Sequence, residues 1–275
     1  MNKNCSMGRT DPFEPDATLA SGPFAGHQLD TATFRSVRLL SEPEASPYHP
    51  QPEERLVANF MHGGRWHIAR IPRAPVADVI VHIQHVAHSF PGAHAQIRFR
   101  LHPGREVTLL PQTSGEEQDL TEIMDLIYTV EGNYAPGTSS TPRGGVEQSG
   151  IAYMLMSLQE KARIMAVDGR LPTIHQYHLQ VGEADKQAIF QRAVDIATRA
   201  ESKKMFNLVR RNCTTEAIRV LDSALHYPTW RRLMAKATYN GLPEAMRLYL
   251  AERGLLGHDS RLPDLSDDST WLRGD

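Results

Sequence analysis

Eight consecutive residues, His94-Ala95-Gln96-Ile97-Arg98-Phe99-Arg100-Leu101, alternate polar and apolar without a break. Successive side chains on a strand point to opposite faces, so Ala95, Ile97, Phe99 and Leu101 must cover a core while His94, Gln96, Arg98 and Arg100 face the other way. Trp66–Ile71, Val79–Val86 and Ile174–Val181 read as further strands, and Pro91-Gly92 and Pro103-Gly104 as turns, with Glu106 to Leu110 completing a meander. The period changes in the second half. Ala184–Ala200 sets Ile189, Phe190, Ala193, Val194, Ala197 and Ala200 on one stripe, and Cys213–Leu225 does the same with Ala217, Ile218, Leu221 and Ala224. Pro243 opens a short helix that ends at Gly254, and Tyr153–Met165 reads as helix. Strands first and helices later predict an α+β domain with an antiparallel sheet.

The chain has 275 residues, which suits one main domain. We place that domain at residues 61–256. Residues 1–60 read as irregular, with four prolines between 42 and 54, and 257–275 as a loose Asp-rich tail. Residues 132–147 form a long internal loop. Lys and Arg total 30 against 32 Asp and Glu, a net charge of -2, so a nucleic-acid partner is not expected. No apolar run approaches the roughly 20 residues of a membrane helix. The N-terminal residues lack the apolar core of a secretory signal, which by itself predicts a cytoplasmic protein.

There are two cysteines, Cys5 and Cys213, too few for a disulfide scaffold or a thiolate metal site. Cys213 lies in Arg211-Asn212-Cys213-Thr214-Thr215-Glu216, where a loop enters a helix. Asn212 suits the N-cap, which puts Cys213 in the first turn. Backbone N–H groups and the helix dipole there favour a thiolate, and Arg210 and Arg211 add positive potential. Thr214 and Thr215 could supply donors to an oxyanion. The plainer reading is a buried cysteine that fills space.

A reactive thiol needs a base. His94 heads the polar face of its strand, with Arg98 on the same face; on its own it reads first as an ordinary solvent-facing strand histidine. His82, His85 and His88 are spaced as His-x-x-His-x-x-His, but on a strand His85 faces away from the other two, so no metal site is expected. His175 and His178 flank Tyr177 and could orient the base. No glycine-rich phosphate loop is present, so no nucleotide cofactor is expected.

Gly92-Ala93-His94-Ala95-Gln96-Ile97-Arg98-Phe99 resembles the small-His-x-x-x-Arg strand motif of one bacterial family. Met205 to Thr215, an aromatic stretch ending in Asn-Cys-Thr-Thr, resembles its second signature. The family is the periplasmic domain first seen at the N-terminus of the Lnb-type lipoprotein intramolecular transacylases, and the resemblance spans roughly residues 66–256. It implies a permuted papain-like (NlpC-like) fold in which the His strand precedes the Cys helix. It implies Cys213 as nucleophile and His94 as general base and acid. Asn212 and Thr214 would shape the helix start and the oxyanion hole, and Arg98 would support the site; apart from the resemblance, the histidine run ending at His88 is expected to border the cleft and His178 to be a candidate to orient the base. The activity implied is cofactor-free thiol acyl transfer on an acyl-bearing lipoprotein, lipid or peptide, outside the cytoplasm, with contact to a membrane surface. Two rivals stay open: a cysteine peptidase or amidase on the same fold, and a non-catalytic binding module. A long apolar tunnel beside Cys213 favours acyl chains, an open polar groove favours peptides, and a Cys213 separated from His94 favours the binding module. Oligomeric state is not legible.

Overall fold

The computed structural model describes residues 11–22, 24–85, 93–113, 120–135, 146–166, 171–199, 205–207, 211–238 and 243–267. In chain order its elements are β1 (Arg38–Leu39), α1 (Glu42–Ala45), β2 (Glu54–His62), β3 (Arg65–Pro72), β4 (Val76–His85), β5 (Ala93–Leu101), β6 (Val107–Pro111), β7 (Thr121–Ile123), β8 (Asp125–Asn133) and β9 (Val146–Ser157). There follow α2 (Leu158–Met165), β10 (Ile174–His178), α3 (Glu183–Thr198), β11 (Met205–Asn207), α4 (Cys213–Ala224), α5 (Thr229–Thr238), α6 (Met246–Glu252) and β12 (Arg261–Leu262). The protein is mixed α+β. One open sheet runs β12-β10-β4-β5-β8-β9-β2-β3-β6-β7, with β1 beside β2 and β11 beside β9. It is mixed rather than wholly antiparallel, because β2 meets β9 in parallel at Met61 opposite Met156.

Each face of the sheet has its own cover. Ile97, Phe99, Tyr128, Val130, Tyr153 and Leu155 pack against α3, α4 and α6 in the main core. Ile127, Ala152, Met154, Met156 and Ile174 pack on the other face with Leu158 and Met165 of α2. The strand β5 behaves as its alternation predicts, with Ala95, Ile97, Phe99 and Leu101 buried toward the helices.

Several sequence expectations need correction. Residues 153–157 are strand, and helix begins only at Leu158, where the Ser157 hydroxyl accepts the Glu160 N–H at 3.0 Å. The run Ile151–Met156 is apolar throughout because β9 is covered on both faces, which erases the period of two. Residues 1–60 are not uniformly irregular: β1 lies there, and a boundary at 60/61 cuts through β2. Asn59, at φ 64, bulges β2, and its N–H donates to Gln112 Oε1 at 2.7 Å. The tail is not loose as far as residue 267. Strand β12 pairs with β10, Leu265 is fully buried, and Asp264 accepts from Arg261 at 2.7 Å. Of the loop 132–147, residues 136–145 lie outside the described residues, while 132–133 end β8 and 146–147 begin β9. Among the described residues no helix is long and apolar enough to cross a membrane.

Candidate functional site

Helix α4 starts where Asn212 caps it. Its Oδ1 accepts the Thr215 N–H at 2.8 Å, and its own N–H donates to Thr215 Oγ1 at 2.8 Å. This reciprocal cap fixes Cys213 as the first helical residue, against the start of β5. Ala217, Ile218, Val220 and Leu221 seat α4 in the main core, so the thiol is held by a packed helix and not by a loop.

Cys213 and His94 are brought together. Burial alone would raise the thiol, which is only 8% exposed. The His94 charge and hydrogen bond, the Ala95 N–H and the Thr214 hydroxyl outweigh burial and hold Cys213 below its ordinary value. The Thr214 oxygen lies 3.8 Å from the sulfur.

The other nitrogen of His94 is equally determined. Nε2 lies 2.7 Å from Thr129 Oγ1, and that hydroxyl donates to Glu131 Oε1 at 2.8 Å. A hydroxyl has one hydrogen, and here Glu131 takes it, so Thr129 accepts from His94 Nε2–H. Glu131 Oε1 also lies 3.4 Å from Nε2 directly. With Nε2 carrying its hydrogen, Nδ1 is the nitrogen left for the thiol. Burial would depress the imidazole, but Glu131 and the Cys213 thiolate raise it above its ordinary value. Lys161 of α2 completes the chain, its Nζ donating to Glu131 Oε1 at 2.6 Å. Burial would raise the Glu131 carboxyl, yet His94 and Lys161 hold it down to about 2. The result is a line of alternating charge, Lys161–Glu131–His94–Cys213, set across the start of β5.

Thr129, Glu131 and Lys161 were not among the sequence candidates. A signal existed. Glu131 stands in the run Leu126-Ile127-Tyr128-Thr129-Val130-Glu131, and Lys161 shares the stripe Leu158, Lys161, Ala162, Met165. Both charges occupy positions that periodicity assigns to the interior, and a charge there must be paired.

The remaining candidates lie elsewhere or outside view. Arg98 is buried on the same face as His94 but donates to Asp125 at 2.7 Å and to Gln176 at 3.0 Å. His178 is held by Asp78 at 3.0 Å. Asp78 and Gln84, which pairs with His94, are six residues apart on β4, so His178 sits about 20 Å from the thiol's partner. The structure therefore does not bring His178 into this group. His88 lies outside the described residues. His82 is buried and bonded to Gln176 at 2.9 Å and Gln96 at 3.3 Å, while His85 meets the His175 ring edge-on at 4.6 Å. Among the described residues no three His, Cys, Asp or Glu side chains converge as metal ligands.

A cavity of about 280 Å³ opens beside His94 on the α2 side of the sheet. Phe34, Met156, Ile164 and Met165 form its apolar wall, and Gln84, Glu131 and Lys161 its polar side. Chemically, the arrangement can hold a thiolate, take up or return a proton at His94 Nδ1, and stabilise an imidazolium through Glu131. Compared with models of protein families, with curated proteins and with solved structures, the chain gives no match.

Proposed function

We propose that the protein is a thiol-dependent acyl-transfer enzyme, an acyltransferase or hydrolase, built on a permuted papain-like arrangement. The observation that carries this reading is the buried sequence Cys213–His94–Thr129/Glu131, with the imidazole's nitrogens assigned to opposite tasks. In the resting pair His94 Nδ1 holds the thiol proton, and Cys213 Sγ attacks a carbonyl carbon as the thiolate. The carbonyl electron pair moves to oxygen, and the first-turn N–H groups of α4, Cys213 and Thr214, would be its donors. The intermediate collapses to a thioester as His94 returns the proton to the leaving group. Water or an amine then attacks the thioester, with His94 again the base. Glu131 stays ionised throughout and stabilises the imidazolium.

The cavity beside His94 is lined by His94, Glu131 and Lys161 but not by Cys213, so its volume does not choose between acyl chain and peptide at the thiol. The resemblance to the lipoprotein transacylase domain supports acyl transfer outside the cytoplasm. The same two residues would serve a cysteine peptidase.

The test is the rate of Cys213 alkylation by iodoacetamide against pH, in the native chain and in His94→Ala, each with Cys5→Ser. The reading expects a thiolate well below the ordinary ~8.5, moved upward by His94→Ala. An inert Cys213, or a titration indifferent to His94, would overturn it.

A further inference from the structure

The cavity beside His94 holds a charge pair with bonding capacity to spare. The Lys161 side chain is only 5% exposed, and its ammonium has three hydrogens. Glu131 Oε1 takes one of them at 2.6 Å, and no other described residue accepts from Nζ. The remaining two are left for whatever enters the cavity that Lys161 lines, since a buried ammonium is costly until its hydrogens meet acceptors. Glu131 is one-sided in the same way. Its Oε1 receives Lys161, Thr129 and, at 3.4 Å, His94 Nε2, whereas Oε2 has no partner among the described residues. Across from these charges stands the apolar wall of Phe34, Met156, Ile164 and Met165. It reaches solvent at Ile164, which is 37% exposed.

What these groups lack defines the ligand. A lone anion drawn to Lys161 would be set against the Glu131 carboxylate, and a lone cation drawn to Glu131 would be set against Lys161. A small molecule that carries an anion and a cation side by side meets both, through charge-assisted hydrogen bonds roughly twice as strong as neutral ones. The apolar wall asks for a hydrocarbon group on the same molecule. At about 280 Å³ the space falls just below the roughly 300–1,000 Å³ of pockets for drug-sized ligands, so it suits one small molecule and not a length of chain.

We propose that this cavity binds a free apolar α-amino acid. Its carboxylate takes the spare hydrogens of Lys161, its ammonium donates to Glu131 Oε2, and its side chain lies on the wall of Phe34, Met156, Ile164 and Met165. The proposal does not depend on acyl transfer, because Cys213 does not line the cavity.

Isothermal titration calorimetry of the full chain with leucine tests it, against probes that each lack one feature. Isocaproate has no ammonium, isoamylamine has no carboxylate, and glycine has no apolar side chain. Leucine should bind at least about tenfold more tightly than any of them. Lys161→Met should weaken leucine by at least about tenfold. That variant strands the Glu131 carboxylate, so Ile164→Ser guards against misfolding. It keeps both charges, changes only the exposed end of the wall, and should weaken leucine by about threefold with little change in thermal midpoint. No binding of leucine, equal binding of isocaproate or of the neutral N-acetylleucinamide, or leucine binding indifferent to both substitutions would overturn the proposal.

Discussion

His82 and His94 sit on adjacent strands and on the same face of the sheet, with His82 opposite Gln96 and His94 opposite Gln84. Both rings are withdrawn from water, yet they titrate in opposite directions. Burial and the nearby Arg98 charge press His82 down to about 3, so it stays neutral between two glutamines. His94 is raised, because Glu131 and the Cys213 thiolate more than repay its desolvation. Two registers of strand separate a histidine held neutral from one held charged. Burial is common to both, so it is the neighbours' charge that assigns the role.

The contrast can be broken by removing the proposed base itself. His94→Ala should lower turnover by about 10²–10⁴, the usual range for a lost general base, measured once an ester or thioester substrate is in hand. Glu131→Gln should make His94 resemble His82. The imidazole falls, the thiolate loses its partner, and iodoacetamide alkylation at pH 6 drops by about tenfold, one pKa unit of coupling.

Acid unfolding sharpens the same contrast. In the unfolded chain His82 titrates near 6.5 and Glu131 near 4.3. The folded His82 binds its proton only near about 3, so the unfolded state binds more protons below 6.5, and stability falls as pH drops from there toward 3. Glu131, held at about 2, contributes stability above about 4.3 that is lost as pH falls toward 2. The thermal midpoint should therefore decline continuously from pH 6.5 downward, and Glu131→Gln should lessen the slope below about pH 4.5 while steepening it between 6.5 and 4.5, because the His94 imidazole then falls as that of His82 does. A midpoint that is flat from pH 6.5 to 4.5 would show that His82 is not held neutral by the fold.

Smaller effects complete the set. Arg98→Gln takes away the Asp125 hydrogen bond and one of the two that reach Gln176 Oε1, and should cost about 1–3 kcal/mol in chemical denaturation, while the Cys213 titration stays in place. His178→Ala, at the end of β10, should change stability by no more than about 0.5 kcal/mol and leave alkylation as it was.

The sequence made His94 and Cys213 legible because each stands at a place with a local rule: the head of an alternating strand, and the first turn after an N-cap. The stripes of α3 and α4 were legible for the same reason. Three things were not. The β9 strand was hidden because both of its faces are covered. Helix α5 was hidden because its apolar side does not face the core. Glu131 and Lys161 were hidden because their partners come from other elements: Lys161 lies 30 residues beyond Glu131, and His94 37 residues before it. A charge pair closed through tertiary structure leaves only an odd charge on an apolar stripe as its trace.

The parallel contact of β2 with β9 has a kinetic consequence. The chain lays down β2 and β3 in one wing of the sheet, β4 and β5 in the other, returns for β6 and β7, and crosses again for β8 and β9. The seam between the wings joins Met61 to Met156, 95 residues apart. Neither wing is a continuous stretch of chain, and the wing of β4, β5, β8 and β9 waits for β9 at residues 146–157 before it can meet β2. Such a protein has high contact order and pays most of its loop-closure entropy before the seam forms. Folding should be slow and concerted. The dyad, whose histidine strand and cysteine helix are separated by the whole of that crossing, is assembled only at its end.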